Sequence, residues 1–295
     1  MMWVQILGMI HYHHSPRKNN YFTINVGIKS LMQLLKSLRN SLCLMNTHIV
    51  WNEEGNKLPD HRYVLFALPG VGNVGKLLID SLNETCDSKE ILKLQHPDLP
   101  PHATMNDGIL TAPHLHLNQL KLPDGQIILT LCGNVQPLVP RGQYEMAEDI
   151  LNLLKENNTH RIILLAGLSS DAGCEKIHVV VADKETKNSL EQDGIIVSNK
   201  QPEGGVIGLC GLLGSLAPSR GVSSVTVIAE TFGTSVDTIS AERLRISLMN
   251  YFGLELPITL DRTEELAKDL MANYPEGPGA LISKELMMPD DSFYQ

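Results

Sequence analysis

The chain has 295 residues, of which 43% are hydrophobic and 19% charged, and its net charge is −9. That length holds about two domains of ~150 residues, or one large domain with extensions, and the apolar fraction excludes a disordered polymer. The acidity speaks against general nucleic-acid binding, which needs a cationic face for phosphates, and five cysteines with no paired spacing argue against a secreted disulfide framework and for a reducing compartment, with the cytoplasm as the expected location.

The charge is uneven along the chain. Residues 1–44 carry Arg17, Lys18, Lys29, Lys36 and Arg39 and no acid, which leaves −14 for the remainder. One reading is that Met45 is the biological start and that the first 44 residues are upstream translation. The other takes them as a basic extension. Ile28, Leu31, Met32, Leu35, Leu38 and Leu42 recur at helical spacing with the cations off that stripe, the pattern of a membrane-surface or transit helix. No apolar run reaches the ~18 residues of a membrane span. His11, His13 and His14 lack a carboxylate or thiol around them and read as solvated.

Beyond a polar stretch at 46–62, the segment 62–68 is an apolar run ended by Pro69-Gly70, which predicts a buried strand. Residues 74–82 predict a helix, 91–94 a second strand, and the three prolines of 96–101 a loop. Residues 110–117 alternate as a strand does, and Pro123-Asp124-Gly125 turns the chain into a buried strand at 126–131. A helix at 143–155, strands at 161–168 and 178–182, an apolar glycine-rich helix at 204–216 and a strand at 224–230 follow. A helix at 240–252 stops at Gly253, a natural C-terminal cap, and a charged helix at 261–273 closes the series. Strands separated by helices predict a single α/β domain over 45–273 with a mainly parallel central sheet covered by helices. Residues 274–295, rich in proline at first, read as a flexible tail.

The loop LPGVGNVGK (68–76) lies between a predicted strand and helix and matches G-x-G-x-x-G through Gly70, Gly72 and Gly75, with Asn73 between them. In a dinucleotide fold such glycines let backbone approach a pyrophosphate. The acid that should end the next strand is missing: Glu90 precedes that strand and Asp98 follows it too late. The same residues approach the phosphate-loop pattern through Gly70, Gly75 and Lys76, but the Mg²⁺-binding hydroxyl is replaced by Leu77. Both nucleotide patterns thus lack a required residue. A tight strand–helix turn is the favoured reading, and an anion or ligand loop the alternative.

Other chemistry is less complete. Ser169 and Ser170 follow a strand, but Asp171 stands where a G-x-S-x-G nucleophile loop needs glycine, and the spacing does not link them to Cys174 and His178. His114 and His116 share a strand face without a third metal ligand. Glu230 ends a strand where α/β ligand sites form. No catalytic pattern closes, so no enzyme activity, cofactor or metal is expected.

Four segments in order resemble the archaeal-type proteasome assembly chaperone family, specifically proteins similar to the second subunit of the eukaryotic assembly-chaperone heterodimer. They are LPGVGNVGK with its helix (68–82), CGNVQPLVPRGQYEMAEDIL (132–151), GGVIGLCGLLGSLAPSRGV (204–222) and VIAETFGTSVDTISAERLRISLMNYFGLEL (227–256). The resemblance spans roughly 60–270 and departs from the family pattern at Asn134, where Asp is common. It implies a fold similar to the nucleoside-phosphorylase-like fold, a homo-oligomer without established catalysis, and the α-subunits of the proteasome core particle as partner. The chain ends in Phe293-Tyr294-Gln295, a hydrophobic residue, Tyr and any residue. In proteasome activators and some chaperones of this family such a tail inserts between α-subunits. The terminal carboxylate pairs with a lysine while the tyrosine supplies apolar area and a hydroxyl. Several tails on one oligomer would act together. The expected function is an ATP-independent proteasome chaperone or core-particle binder. The alternative is a small-molecule or nucleotide-binding α/β enzyme using loop 70–76.

Overall fold

The computed structural model describes residues 47–52, 56–171, 175–198, 205–233 and 236–257. The basic extension, the expected helix at 261–273 and the tail with Phe293, Tyr294 and Gln295 lie outside the described residues.

Ten strands and five α-helices follow one another among the described residues. They are β1 (His48–Trp51), β2 (Val64–Ala67), α1 (Val74–Thr85), β3 (Asp87–Gln95), β4 (Thr104–Asn106), β5 (Ile109–Thr111), β6 (Leu115–Lys121), β7 (Ile127–Gly133), α2 (Pro140–Glu156), β8 (Arg161–Ser169), β9 (Ile177–Val181), α3 (Lys184–Gln192), α4 (Gly208–Leu216), β10 (Ser223–Thr231) and α5 (Thr238–Phe252). Eight strands form one sheet in the order β1-β3-β6-β7-β2-β8-β10-β9, and β4 and β5 form a separate hairpin. Its centre, β7-β2-β8-β10, is parallel. Antiparallel strands extend it on both sides: β6, β3 and β1 on one, β9 on the other.

The apolar runs of the central strands follow from burial on both faces. Leu65 and Ala67 of β2, Ile163 and Leu165 of β8, and Val225 and Val227 of β10 pack against α1, α3 and α5 through Leu77, Leu190 and Leu244. The alternate residues Val64, Phe66, Ile162 and Leu164 pack against α2 and α4 through Met146, Ile150, Leu209 and Leu213. This is the α/β architecture with a central parallel sheet that the sequence implied.

Several elements differ from the sequence reading. Residues 110–117 are two strands, because Pro113 lies between β5 and β6 and cannot donate to a ladder. Asp107 and Gly108 both have positive φ, 50° and 77°, and close the β4–β5 hairpin. The Asp-Gly pair is a hairpin signal in its own right. The expected strand at 91–94 is the buried half of the longer β3. Helix α3, unmarked by apolar periodicity, buries only Thr186 and Leu190 and starts on Asp183, whose side chain accepts from the Thr186 N–H at 2.7 Å. Helix α5 does end at Gly253, with φ 61°.

Candidate functional site

The glycine-rich loop leaves β2 at the carboxyl end of the parallel strands, where ligand sites of α/β sheets form. Gly70 is extended, and a Cβ there would come no closer than 3.8 Å to any neighbour. Gly72 has φ 64°, and its Cβ would lie 2.6 Å from the Thr231 Oγ1 of β10. A Cβ on Gly75 would lie 2.7 Å from the Leu165 carbonyl oxygen, and one on Gly167 only 2.0 Å from that of Val71. The turn is therefore pressed against the ends of β8 and β10, and two of its three glycines serve that approach. Asn73, itself left-handed, donates its N–H to the Gly70 carbonyl at 3.0 Å and accepts the Gly70 N–H on Oδ1 at 3.3 Å. The Asp237 N–H reaches the Gly72 carbonyl at 2.9 Å. Lys76, the phosphate-binding lysine of the motif, is 3% exposed, and its Nζ donates to Asp80 Oδ1 at 2.6 Å. Burial pushes the Asp80 carboxyl up, against the opposing pull of Lys76.

Glu230 is buried at the end of β10. It accepts from the Lys176 N–H at 3.0 Å and faces His178 Nε2 at 2.9 Å. Burial alone would raise this carboxyl, but the His178 and Lys176 hydrogen bonds hold it below the usual carboxylate value. Asp237 is likewise held down. Burial opposes ionisation, while Ser240 and Thr231 hydroxyls and the Ser240 N–H donate to it. These carboxylates tie β9, β10 and the start of α5 together. Ser169 and Asp171 are exposed beside them, the Ser170 N–H donates to the Thr231 carbonyl at 2.9 Å, and Cys174 lies outside the described residues.

One polar cluster was not legible in the sequence. Cys132 and His116 are cross-strand partners on β7 and β6, with Sγ 3.0 Å from Nε2. Asn83 Nδ2 donates to the sulfur at 3.7 Å, and Thr130 Oγ1 donates to Asn83 Oδ1 at 2.7 Å. Burial pushes the Cys132 thiol up to about 12, and burial together with Lys76 holds His116 down to about 4. At neutral pH the pair is a neutral thiol hydrogen-bonded to a neutral imidazole, the opposite of an activated thiolate. The signal that would have found it is register, set by the Pro123-Asp-Gly125 turn between the two strands. His114 and His116 rings lie 6.0 Å apart, and among the described residues no three His, Cys, Asp or Glu side chains converge as a metal site.

The recognised segments meet in pairs. The first, with the glycine turn, packs on the fourth through Gly72 and Thr231. The second packs on the third, where Gln136 Oε1 accepts the Leu209 N–H at 3.1 Å and caps α4. Gly208, with φ 78°, leaves the room for that side chain. Asp98 caps α2, accepting the Val139 N–H at 2.9 Å. Around this second pair the surface is apolar. Leu138, Val139, Tyr144 and Ile207 are exposed, and a groove of about 530 Å³ is lined by Tyr144, Val180, Val181, Val206 and Leu212 together with the polar Gln143, Ser215 and Thr226. Helix α4 buries Leu209, Leu213 and Gly214. On the other half of the sheet the β4–β5 hairpin exposes Met105, Ile109 and Leu110 by 77%, 66% and 72%. Among the described residues no helix is long and apolar enough to cross a membrane.

Known proteins match this arrangement. The chain is 27% identical over 215 residues to an uncharacterized protein of Methanocaldococcus jannaschii, covering 72% of this chain and 81% of that one. The structure is similar to Pyrococcus furiosus PbaB, an archaeal proteasome activator (TM-score 0.64, 22% identity, 78% of this chain and 98% of that one). It is also similar to Pyrococcus furiosus PbaA, an archaeal homolog of proteasome-assembly chaperone (TM-score 0.61, 22% identity, 81% and 98%). The model of the PAC2 family matches residues 64–276, and with most of the folded core inside that span the chain belongs to the PAC2 family.

Proposed function

We propose that this protein is a cytoplasmic proteasome assembly chaperone or core-particle-binding protein that acts without ATP as a homo-oligomer. The observation that carries this reading is membership of the PAC2 family together with a fold shared over 98% of PbaB and of PbaA, named as proteasome activator and assembly-chaperone homologue. Docking runs through Phe293-Tyr294-Gln295 on the α-subunits. The terminal carboxylate seeks a cationic pocket, Tyr294 fills it with a ring and a hydroxyl, and Phe293 anchors the approach. One tripeptide binds weakly, and several tails on one oligomer bind through effective concentration. ATP independence is supported by the glycine loop, where Asn73 takes the Gly70 N–H and Lys76 is buried on Asp80.

The test is capture of purified core particle by the full chain and by a chain ending at Ser292, with and without ATP. The reading expects capture by the full chain alone, unchanged by ATP. Equal capture by both forms would remove the tail mechanism, and capture by neither would remove the function. Saturable ATP binding lost in Gly72→Val would instead favour the ligand-binding alternative.

A further inference from the structure

We propose that residues 261–273 fold back as a helix on the outer ridge of α5, so that the free tail carrying Phe293-Tyr294-Gln295 begins at residue 274. The placement of that helix stands on this chain alone, and only its consequence for tail docking rests on the reading above.

Helix α5 buries Leu244, Leu248 and Phe252 against the sheet. On its other side Ile239 and Ile246, two turns apart on one stripe, stand 71% and 44% exposed. Two cations, Arg243 and Arg245, border that stripe against one acid, Glu242. The sequence beyond the described residues is the complement. Thr263, Leu266, Ala267, Leu270 and Tyr274 recur at helical steps. Asp261 with Glu264 three residues later is an N-terminal capping signal, and Pro275 stops the helix. The acids Asp261, Glu264, Glu265 and Asp269 outnumber the cations Arg262 and Lys268, so an acidic segment meets a ridge with an excess of positive charge.

The path of the chain brings the segment to that ridge. Gly253 ends α5 with φ 61° and turns the backbone. Leu254 and Leu256 are then buried in the same core as Leu244 and Leu248, and the Leu256 carbonyl accepts from Arg245 Nη1 at 3.0 Å. Arg245 lies about 12 Å of helix before Gly253, so the chain has already turned back along α5 where the described residues end. Residues 257–260 span up to about 13 Å. Crossing from the Arg245 flank to the Ile239–Ile246 stripe, a quarter turn at a helix radius of ~5 Å with side chains, needs about 7 Å. A helix over 261–273 is about 20 Å long, enough for the ridge of about 16 Å from Ile239 to Asn250. The family match ends at the same place. It runs to residue 276, beyond the described residues and up to Gly277-Pro278-Gly279. With 261–273 held, the tether is residues 274–295 rather than 258–295. A tether shorter by that ratio raises the effective concentration of the tail about twofold, by the −3/2 power of length.

The experiment uses the full chain and its melting temperature. On an open ridge Ile239→Asp is neutral or slightly stabilising, because the position lies in the first turn of α5, where an acid favours the helix dipole. Under a docked helix it buries a charge, and the variant is expected to lower the melting temperature by about 4 °C or more, as is Leu270→Asp. The double variant is expected to fall no further than the lower of the two, since either change alone releases the segment. Ile246→Cys and Ala267→Cys lie near the middle of ridge and helix and so meet in either direction of packing. In one chain they are expected to form a disulfide on oxidation, mapped by peptide mass, while Ile246→Cys with Ala280→Cys in the tail is not. A melting temperature unmoved by Ile239→Asp, additive losses in the double variant, or a 246–267 cross-link that is absent or forms only between copies would each overturn the proposal. A chain ending at Ser292 is expected to give the same results, so the placement fails or succeeds apart from docking of the tail.

Discussion

The two ends of the recognised core are built on opposite principles. At the glycine turn everything is closed. Gly75 and Gly167 bring backbone against backbone, Gly72 packs on the Thr231 side chain, Lys76 is buried on Asp80, and Asn73 takes the Gly70 N–H. Around the hairpin and the α2–α4 groove, large apolar side chains stand in solvent. The first and fourth recognised segments supply the closed end, the second and third the groove, and the hairpin lies between the first and second. A glycine-rich loop in an α/β protein is therefore no sign of a nucleotide site until its neighbours are known.

Substitutions can break that contrast, and the largest effects belong to the closed end. Gly167→Val would drive a side chain into the Val71 carbonyl and is expected to cost about 4 kcal/mol, read from chemical denaturation. Lys76→Met leaves Asp80 buried without its cation and is expected to cost about 3 kcal/mol, with Lys76→Met/Asp80→Leu milder than the single change. Gly72→Ala is expected to cost about 2 kcal/mol, from the left-handed φ and the Thr231 contact, while Gly70→Ala stays within about 0.5 kcal/mol. An anion cradle would make the two glycines comparable in ligand binding, so this pair sharpens the structural reading.

The pH effect is smaller. The folded Glu230 carboxyl lies below its ordinary value of 4.5. Its contribution is present in full above pH 4.5 and is lost as pH falls through the folded value. Glu230→Gln is therefore expected to lower stability above pH 4.5 and to flatten the acid limb below it, measured by denaturation across pH. Smallest of all, Leu110→Asp on the exposed hairpin is expected to leave stability within about 0.5 kcal/mol, read from chemical denaturation, which separates the open end from the closed one.

How far the sequence could be read depended on the range of the interactions involved. The apolar runs at 62–68, 126–131, 161–168 and 224–230 announced the central strands, since burial on both faces requires them to be apolar throughout. Gly253 announced the end of α5. Strand β1 stayed hidden because it is four residues long, at the edge of the sheet and inside a polar stretch, and the first half of β3 because Asp87–Glu90 are polar where they pair with β6. Helix α3 stayed hidden because only two of its residues face the core.

By itself, then, the sequence determined the α/β class, the family and the failure of the nucleotide patterns, because each is written in local residue types and spacing. Only the tertiary structure decided what the glycines are for. Gly72 meets Thr231 across 159 positions, and no local pattern encodes that approach. The same holds for the Cys132–His116 pair and for the meeting of Gln136 with the start of α4. Both depend on strand register and sheet order, which are set by the packing of the whole core.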